Sequence, residues 1–246
     1  MDLFQILILA CVQAFTEWLP VSSSGHLAII QNLFNIKDAI SFDVFLHLAS
    51  VLALIVFLRR DIIEIIRKRN FRLILFIVLA SIPAAIFGFL VKDYVEQAFS
   101  SLMFIAFGLI ITSIALFSTK FINKDEKLTW KRSLFIGLFQ AIAIFPGISR
   151  SGFTLFGGLL AGLNREKAFK FSLLMAIPVI LGASLLKFSN FVFDINFIMG
   201  FLICSLLSYL ALTVFSKIVI KNRIYYLGYY CMLLALLILA LLFIKS

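Results

Sequence analysis

Charge is what this sequence lacks first: Asp, Glu, Lys and Arg make up 14% of its 246 residues, against roughly 25% in soluble domains. With 63% of residues hydrophobic and a mean hydropathy of +1.12, a soluble core could not hide the apolar surface. The bilayer is therefore the solvent. The three cysteines, Cys11, Cys204 and Cys231, stand inside apolar runs without CxxC or metal spacing, and read as small packing residues rather than disulfide partners or metal ligands. The N-terminus has no basic n-region and no small-residue cleavage site, so no removable signal peptide is expected. A net charge of +10 would suggest nucleic acid in a soluble protein. In a membrane protein it reads instead as cytoplasmic loop charge, and no nucleic-acid partner is expected.

Six runs approach the roughly 20 residues needed to cross a bilayer: Ser41–Leu58, Leu73–Val91, Ser101–Thr119, Lys167–Leu186, Phe193–Ser216 and Ile224–Ile244. Two further stretches are apolar, break at Pro and Gly among polar residues, and resume. Neither part of either stretch is long enough to span alone. Such a stretch is a re-entrant helix–loop–helix or an ordinary kinked span, and re-entry is favoured; it is tolerated at membrane depth where protein or a wet cavity satisfies the broken backbone.

Loop charge tests the count. With the N-terminus outside, the segments 59–72, 120–132, 165–170 and 217–223 fall inside and hold all the Lys and Arg except Lys37, Lys92, Arg150, Lys187 and Lys245. That bias puts both termini outside. Each half then has one re-entrant hairpin and three crossings. The expected fold is an all-α integral membrane protein, a single domain over 1–246, with six transmembrane helices and two re-entrant hairpins. It divides into inverted-topology repeats of residues 1–119 and 130–246. The second halves of the hairpins, starting near Ser24 and Ser151, would point their N-termini into a shared midplane cavity.

The two broken stretches echo one another. One reads Gln13-Ala-Phe-Thr-Glu17-Trp-Leu-Pro20-Val-Ser22-Ser23-Ser24-Gly25-His26; the other runs from Gln140-Ala through Pro146-Gly147-Ile-Ser149-Arg150-Ser151-Gly152. Converging helix N-termini favour an anion. Gly25, Gly147 and Gly152 allow close backbone approach, and Ser22, Ser24, Ser149 and Ser151 add hydroxyls. Arg150 has a planar fork suited to phosphate oxygens; the plainer alternative is that it merely pairs with Glu17 across the repeat. Gln13 and Glu17, four apart, share a helix face. His26 is either a packing histidine or, with Glu17, Ser23 and Arg150, part of a phosphoryl-transfer site, the reading favoured here. His47, within the apolar Phe45-Leu-His47-Leu-Ala, is read as structural. Pro83 and Pro178 are expected to kink spans beside the site, and some of the 29 phenylalanines could line a groove for an isoprenoid tail.

At these residues the chain resembles the undecaprenyl-diphosphate phosphatases of the BacA (UppP) type. Their (E/Q)xxxE, PVSS-x-GH and PGxSRSxxT strings appear here as Gln13…Glu17, Pro20-Val-Ser22-Ser23-Ser24-Gly25-His26 and Pro146-Gly147-Ile-Ser149-Arg150-Ser151-Gly152-Phe-Thr154. The resemblance implies a hydrolase that removes the terminal phosphate of a C55 polyprenyl diphosphate in the cytoplasmic membrane, with its cavity toward the outer face. That reaction regenerates the lipid carrier for peptidoglycan and other envelope polymers, and overproduction is linked to bacitracin resistance. It implies the same six-span, two-hairpin fold. It also implies a catalytic set of Glu17, Ser23, His26 and Arg150, with Ser23 and His26 rival nucleophiles, and supporting contacts from Gln13, Ser22, Ser24, Ser149, Ser151 and Thr154. A divalent cation, Mg or Ca, is expected from the family, although Gln at position 13 weakens the case for a protein-held ion. No organic cofactor is expected. The expected partners are the lipid substrate and membrane lipids, with room for a homodimer. Two other readings were open: a transporter or flippase of a phosphorylated lipid or small anion, which would need no nucleophile, and a lipid phosphatase of the acid-phosphatase type. The latter requires a histidine after its Ser-Arg string, and none follows His47.

Overall fold

The computed structural model describes residues 1–36, 40–186 and 195–245. The described chain is helical, with no strand among those residues. Its helices are α1 (Leu3–Thr16), α2 (Ser23–Leu33), α3 (Ile40–Phe57), α4 (Arg59–Arg67), α5 (Phe71–Leu90), α6 (Lys92–Phe99), α7 (Leu102–Ser118), α8 (Trp130–Ile142), α9 (Arg150–Leu160), α10 (Arg165–Leu186), α11 (Ile195–Ile220) and α12 (Tyr225–Lys245). Five helices are long and apolar enough to cross a membrane. The count is six if α3 and α4, which meet at a 63° bend, are taken together as one span. Large apolar side chains such as Phe89, Leu185 and Phe243 stand exposed around the outside, as lipid-facing residues of a multi-pass membrane protein do.

Hydrophobic run length set these boundaries, and α3, α5, α7, α10, α11 and α12 fall on the six expected spans. The expected start of one span at Phe193, and the loop residues Lys37 and Lys187, lie outside the described residues. Two loop segments are helical where no element was expected. In α4, Arg59, Arg60 and Arg67 flank the exposed Ile63 and Ile66, and α6 is a short amphipathic segment. Both fall below the length of a span, so a search for long apolar runs passes over them. Helices α5 and α10 continue through Pro83 and Pro178.

Packing is closest where side chains are smallest. Helices α5 and α8 approach so nearly that a Cβ on Gly137 would lie 2.5 Å from the Ala80 carbonyl oxygen. A seam of small polar groups joins α3 to α11. Ser208 Oγ donates to Ser50 Oγ at 3.1 Å and Ser205 Oγ to the Ala49 carbonyl at 3.1 Å, which satisfies polar atoms that hydrocarbon cannot. A second apolar cluster, including Ile6, Leu9, Ala10, Phe42 and Leu46, fixes α1 against α3 and α11.

The two broken stretches form helix–turn–helix units whose caps match. In the first, Asp2 and Gln5 make a reciprocal capping box that starts α1. Beyond Glu17 the chain turns, and Ser22 caps α2 by accepting from the Gly25 amide at 3.3 Å. In the second, Thr129 caps α8, the chain turns after Ile142, and Ser149 caps α9 by accepting from the Gly152 amide at 3.2 Å. The second helices thus begin one residue earlier than expected, at Ser23 and Arg150.

Candidate active site

The two turns meet backbone to backbone. A Cβ on Gly25 would lie 3.5 Å from Gly147 Cα, and one on Gly152 would lie 3.0 Å from Pro20 Cβ. Gly147 has φ +86° and abuts the Ile105 carbonyl, so both its conformation and its neighbour require glycine. Helix α7 clasps this second turn through Thr112, which donates to the Gly147 carbonyl at 2.9 Å and accepts from the Ser149 amide at 2.9 Å. Helix α12 holds the first turn, with Cys231 Sγ 3.8 Å from the Pro20 carbonyl.

Glu17 is the hub of this junction. It is buried, and a buried carboxylate persists only when paired and hydrogen-bonded. Its Oε1 accepts from Arg150 Nη2. Its Oε2 accepts from Ser23 Oγ at 2.6 Å and from Gln13 Nε2 at 3.2 Å, the Gln13 bond following from the i,i+4 spacing on α1. Of the two readings of Arg150, the pair with Glu17 is therefore present, yet it uses only part of the guanidinium. Arg150 Nη1 is buried without a partner among the described residues, and its plane lies 5.3 Å over the Trp18 ring, a contact that holds a desolvated cation. Gln13 Oε1 is likewise buried and idle.

His26 is placed differently from Ser23. Its Nδ1 faces the Ser22 carbonyl at 2.7 Å and its Nε2 faces the Tyr230 hydroxyl at 2.7 Å. A carbonyl only accepts, so Nδ1 carries the hydrogen, and Nε2 of the neutral ring accepts from Tyr230. Of the remaining expected residues, Ser22 and Ser149 spend their hydroxyls as caps. Their Oγ atoms also lie 3.3 Å from Ser24 Oγ and 3.2 Å from Ser151 Oγ respectively. Thr154 is turned into the bundle, donating to the Arg150 carbonyl at 2.8 Å and bonding Ser172 of α10, so it supports α9 from behind.

His47, read as structural, lies beside the junction. Its Nδ1 bonds the Asp43 carbonyl at 2.7 Å and its Nε2 stands 3.4 Å from Glu17 Oε2. Nothing in its apolar surroundings signals this, because α3 meets the end of α1 only in the tertiary fold. Trp18 and Tyr230 were missed for the same reason, although adjacency to Glu17 could have pointed to Trp18.

Protein oxygens for a divalent cation are few. Glu17 is the carboxylate at the junction and already serves a guanidinium and a hydroxyl. No group of three His, Cys, Asp or Glu able to hold a metal occurs among the described residues. The junction therefore does not fit the six or more oxygens of a protein-built Ca²⁺ cage. What it can do is ionise a serine hydroxyl against a carboxylate, beside a guanidinium with idle donor capacity.

The family model described as bacitracin resistance protein BacA matches residues 6–237. A protein named undecaprenyl-diphosphatase from Thermosipho africanus is 45% identical over 239 residues, covering 94% of this chain and 96% of its own. Proteins of the same name from Carboxydothermus hydrogenoformans, 40% identical with 98% of each chain covered, and from Methanococcus vannielii, 39% identical with 94% and 96% covered, are similar over almost their full lengths.

Proposed function

The chain belongs to the bacitracin resistance protein BacA family, and from that premise we propose that it is a membrane-embedded undecaprenyl-diphosphatase working at the junction of the two turns. The observation that carries the site is the 2.6 Å contact between Ser23 Oγ and Glu17 Oε2, the geometry of a nucleophile with its base. Glu17 takes the Ser23 proton as Oγ bonds the terminal phosphorus. The bond to the bridging oxygen breaks, and the prenyl monophosphate departs with the proton passed on from Glu17. Water then attacks the phosphoserine, giving its proton to Glu17, which returns it to Ser23 as inorganic phosphate leaves. Arg150 balances the charge that develops on the transferring group. His26, with Nε2 engaged by Tyr230, is the weaker candidate nucleophile. A transporter has no need of a serine held on a carboxylate, so this contact also speaks against that alternative.

The finer architecture follows the same reading. Packing of α1 on α11 mirrors that of α8 on α5, and α10 on α5 mirrors α3 on α11. The pairs α3–α10 and α7–α12 map onto themselves. This supports inverted repeats over 1–119 and 130–246, each opened by a re-entrant hairpin. With the basic loops inside, both termini and the access to the site would face outward across the cytoplasmic membrane.

Purified protein should release phosphate from a long-chain prenyl diphosphate. Arg150→Ala should lower turnover by about 10³-fold or more, and a trapped phosphoenzyme should carry its label on Ser23. Full turnover by Arg150→Ala, or label on His26, would sink the assignment of roles.

A further inference from the structure

We infer that Tyr230, on the last helix, is a positioning residue that holds the nucleophile-bearing turn in shape through His26; this rests on the reading of Ser23 as nucleophile. The chain of contacts is continuous. The Tyr230 hydroxyl donates to His26 Nε2 at 2.7 Å, and the two rings stack 8° from parallel with centroids 5.7 Å apart. On the far side of the imidazole, Nδ1–H donates to the Ser22 carbonyl at 2.7 Å. Ser22 is the residue under load, with φ +70°, a left-handed backbone that a non-glycine residue holds only when its surroundings over-determine it. The next residue is Ser23, whose Oγ must stay on Glu17.

Helix α12 therefore grips the first turn at two points: at Pro20 through Cys231, and at Ser22 through the Tyr230–His26 pair. The second turn receives its support directly, from Thr112 on the backbone. In the first turn the corresponding support passes through an imidazole. The same pair fixes the His26 tautomer, because the carbonyl demands Nδ1–H and the phenol then serves Nε2. Tyr230 itself touches neither Glu17, Ser23 nor Arg150 in any described contact, so its influence runs through His26.

Tyr230→Phe keeps the ring and its stack and removes only the hydroxyl. It should lower kcat on a long-chain prenyl diphosphate by roughly three- to ten-fold, the worth of one hydrogen bond, with KM changed less than about two-fold. The same substitution in a His26→Ala background should have no further effect, since the path is already cut. The chain has two histidines, so ¹⁵N-histidine-labelled protein gives a direct spectrum of the pair. One ring should show Nδ1 protonated and Nε2 accepting, and Tyr230→Phe should move that Nε2 resonance. An unchanged kcat, an unchanged spectrum, or an equal loss in the His26→Ala background would overturn the proposal. Protein with no diphosphatase activity but the expected spectral change would instead overturn the reaction assigned to the site, leaving the Tyr230–His26 support in place.

Discussion

The two turns share a frame and differ in everything reactive. At one constant offset in the chain, Gln13 matches Gln140, Ser22 matches Ser149, Ser24 matches Ser151 and Gly25 matches Gly152. The serines are the helix caps and their neighbours, and the glycines are residues through which the turns touch. At the same offset Glu17 matches Ile144, Ser23 matches Arg150 and His26 matches Phe153. The consequences are local. Gln13 bonds Glu17, whereas Gln140, having no acid to face, reaches the Ala80 carbonyl at 3.5 Å. The left-handed residue in the second turn is a glycine, Gly147, and in the first it is a serine, Ser22. The frame is shared because each turn must start a second helix with a cap and pass close to the backbone of the other turn. The chemistry is not repeated because a base needs a cation opposite it, not a second base.

Five substitutions test that contrast. Gly147→Ala should cost the most, roughly 2–5 kcal/mol from the left-handed strain and the collision with the Ile105 carbonyl, seen as a sharp drop in folded yield and melting temperature in detergent. A normal melting temperature would show that the second turn is looser than described. Next, Thr112→Val keeps the shape but strands two buried backbone groups, costing about 2–4 kcal/mol. Cys231→Ala, on the other turn, should cost under about 1 kcal/mol because a thiol is a weak donor. Equal losses in matched thermal melts would erase the distinction between a strongly and a weakly braced turn. The smallest pair differs in sign. Ser22→Gly trades a cap worth a few tenths of a kcal/mol against about 1 kcal/mol of left-handed strain, and should hold or gain stability while losing turnover. Ser149→Gly has no strain to relieve, since Ser149 sits at φ −76°, and should lose slightly.

Much of this was legible in the residues. The five long apolar helices and α3 appear as hydrophobic runs in the residues, and the Gln13–Glu17 pair follows from helix spacing. In the sequence Ser22 and Ser149 read as hydroxyls for a bound anion, and their use as helix caps comes only with the structure. What could not be read is what long-range packing creates. His47 looks like any histidine in an apolar run until α3 brings it within 3.4 Å of Glu17. Tyr230 is one tyrosine among Tyr225, Tyr226 and Tyr229, and only the apposition of α12 to the first turn separates it from them. The His26 partners were hidden too, because proximity in sequence to Ser23 suggested a shared task, whereas its ring turns toward the Ser22 carbonyl and α12.

The Glu17–Arg150 bond has a last consequence for the proposed cycle. In the resting site a carboxylate occupies the guanidinium that a phosphate would claim, so the enzyme carries its own competitive inhibitor. A weakly held anion such as free inorganic phosphate must displace Glu17 to bind Arg150 fully, while a lipid diphosphate brings the added hold of its long apolar tail. After hydrolysis Glu17 reclaims Arg150 and helps evict the phosphate. In the proposed cycle the Glu17–Arg150 pair thereby disfavours retention of the smaller product.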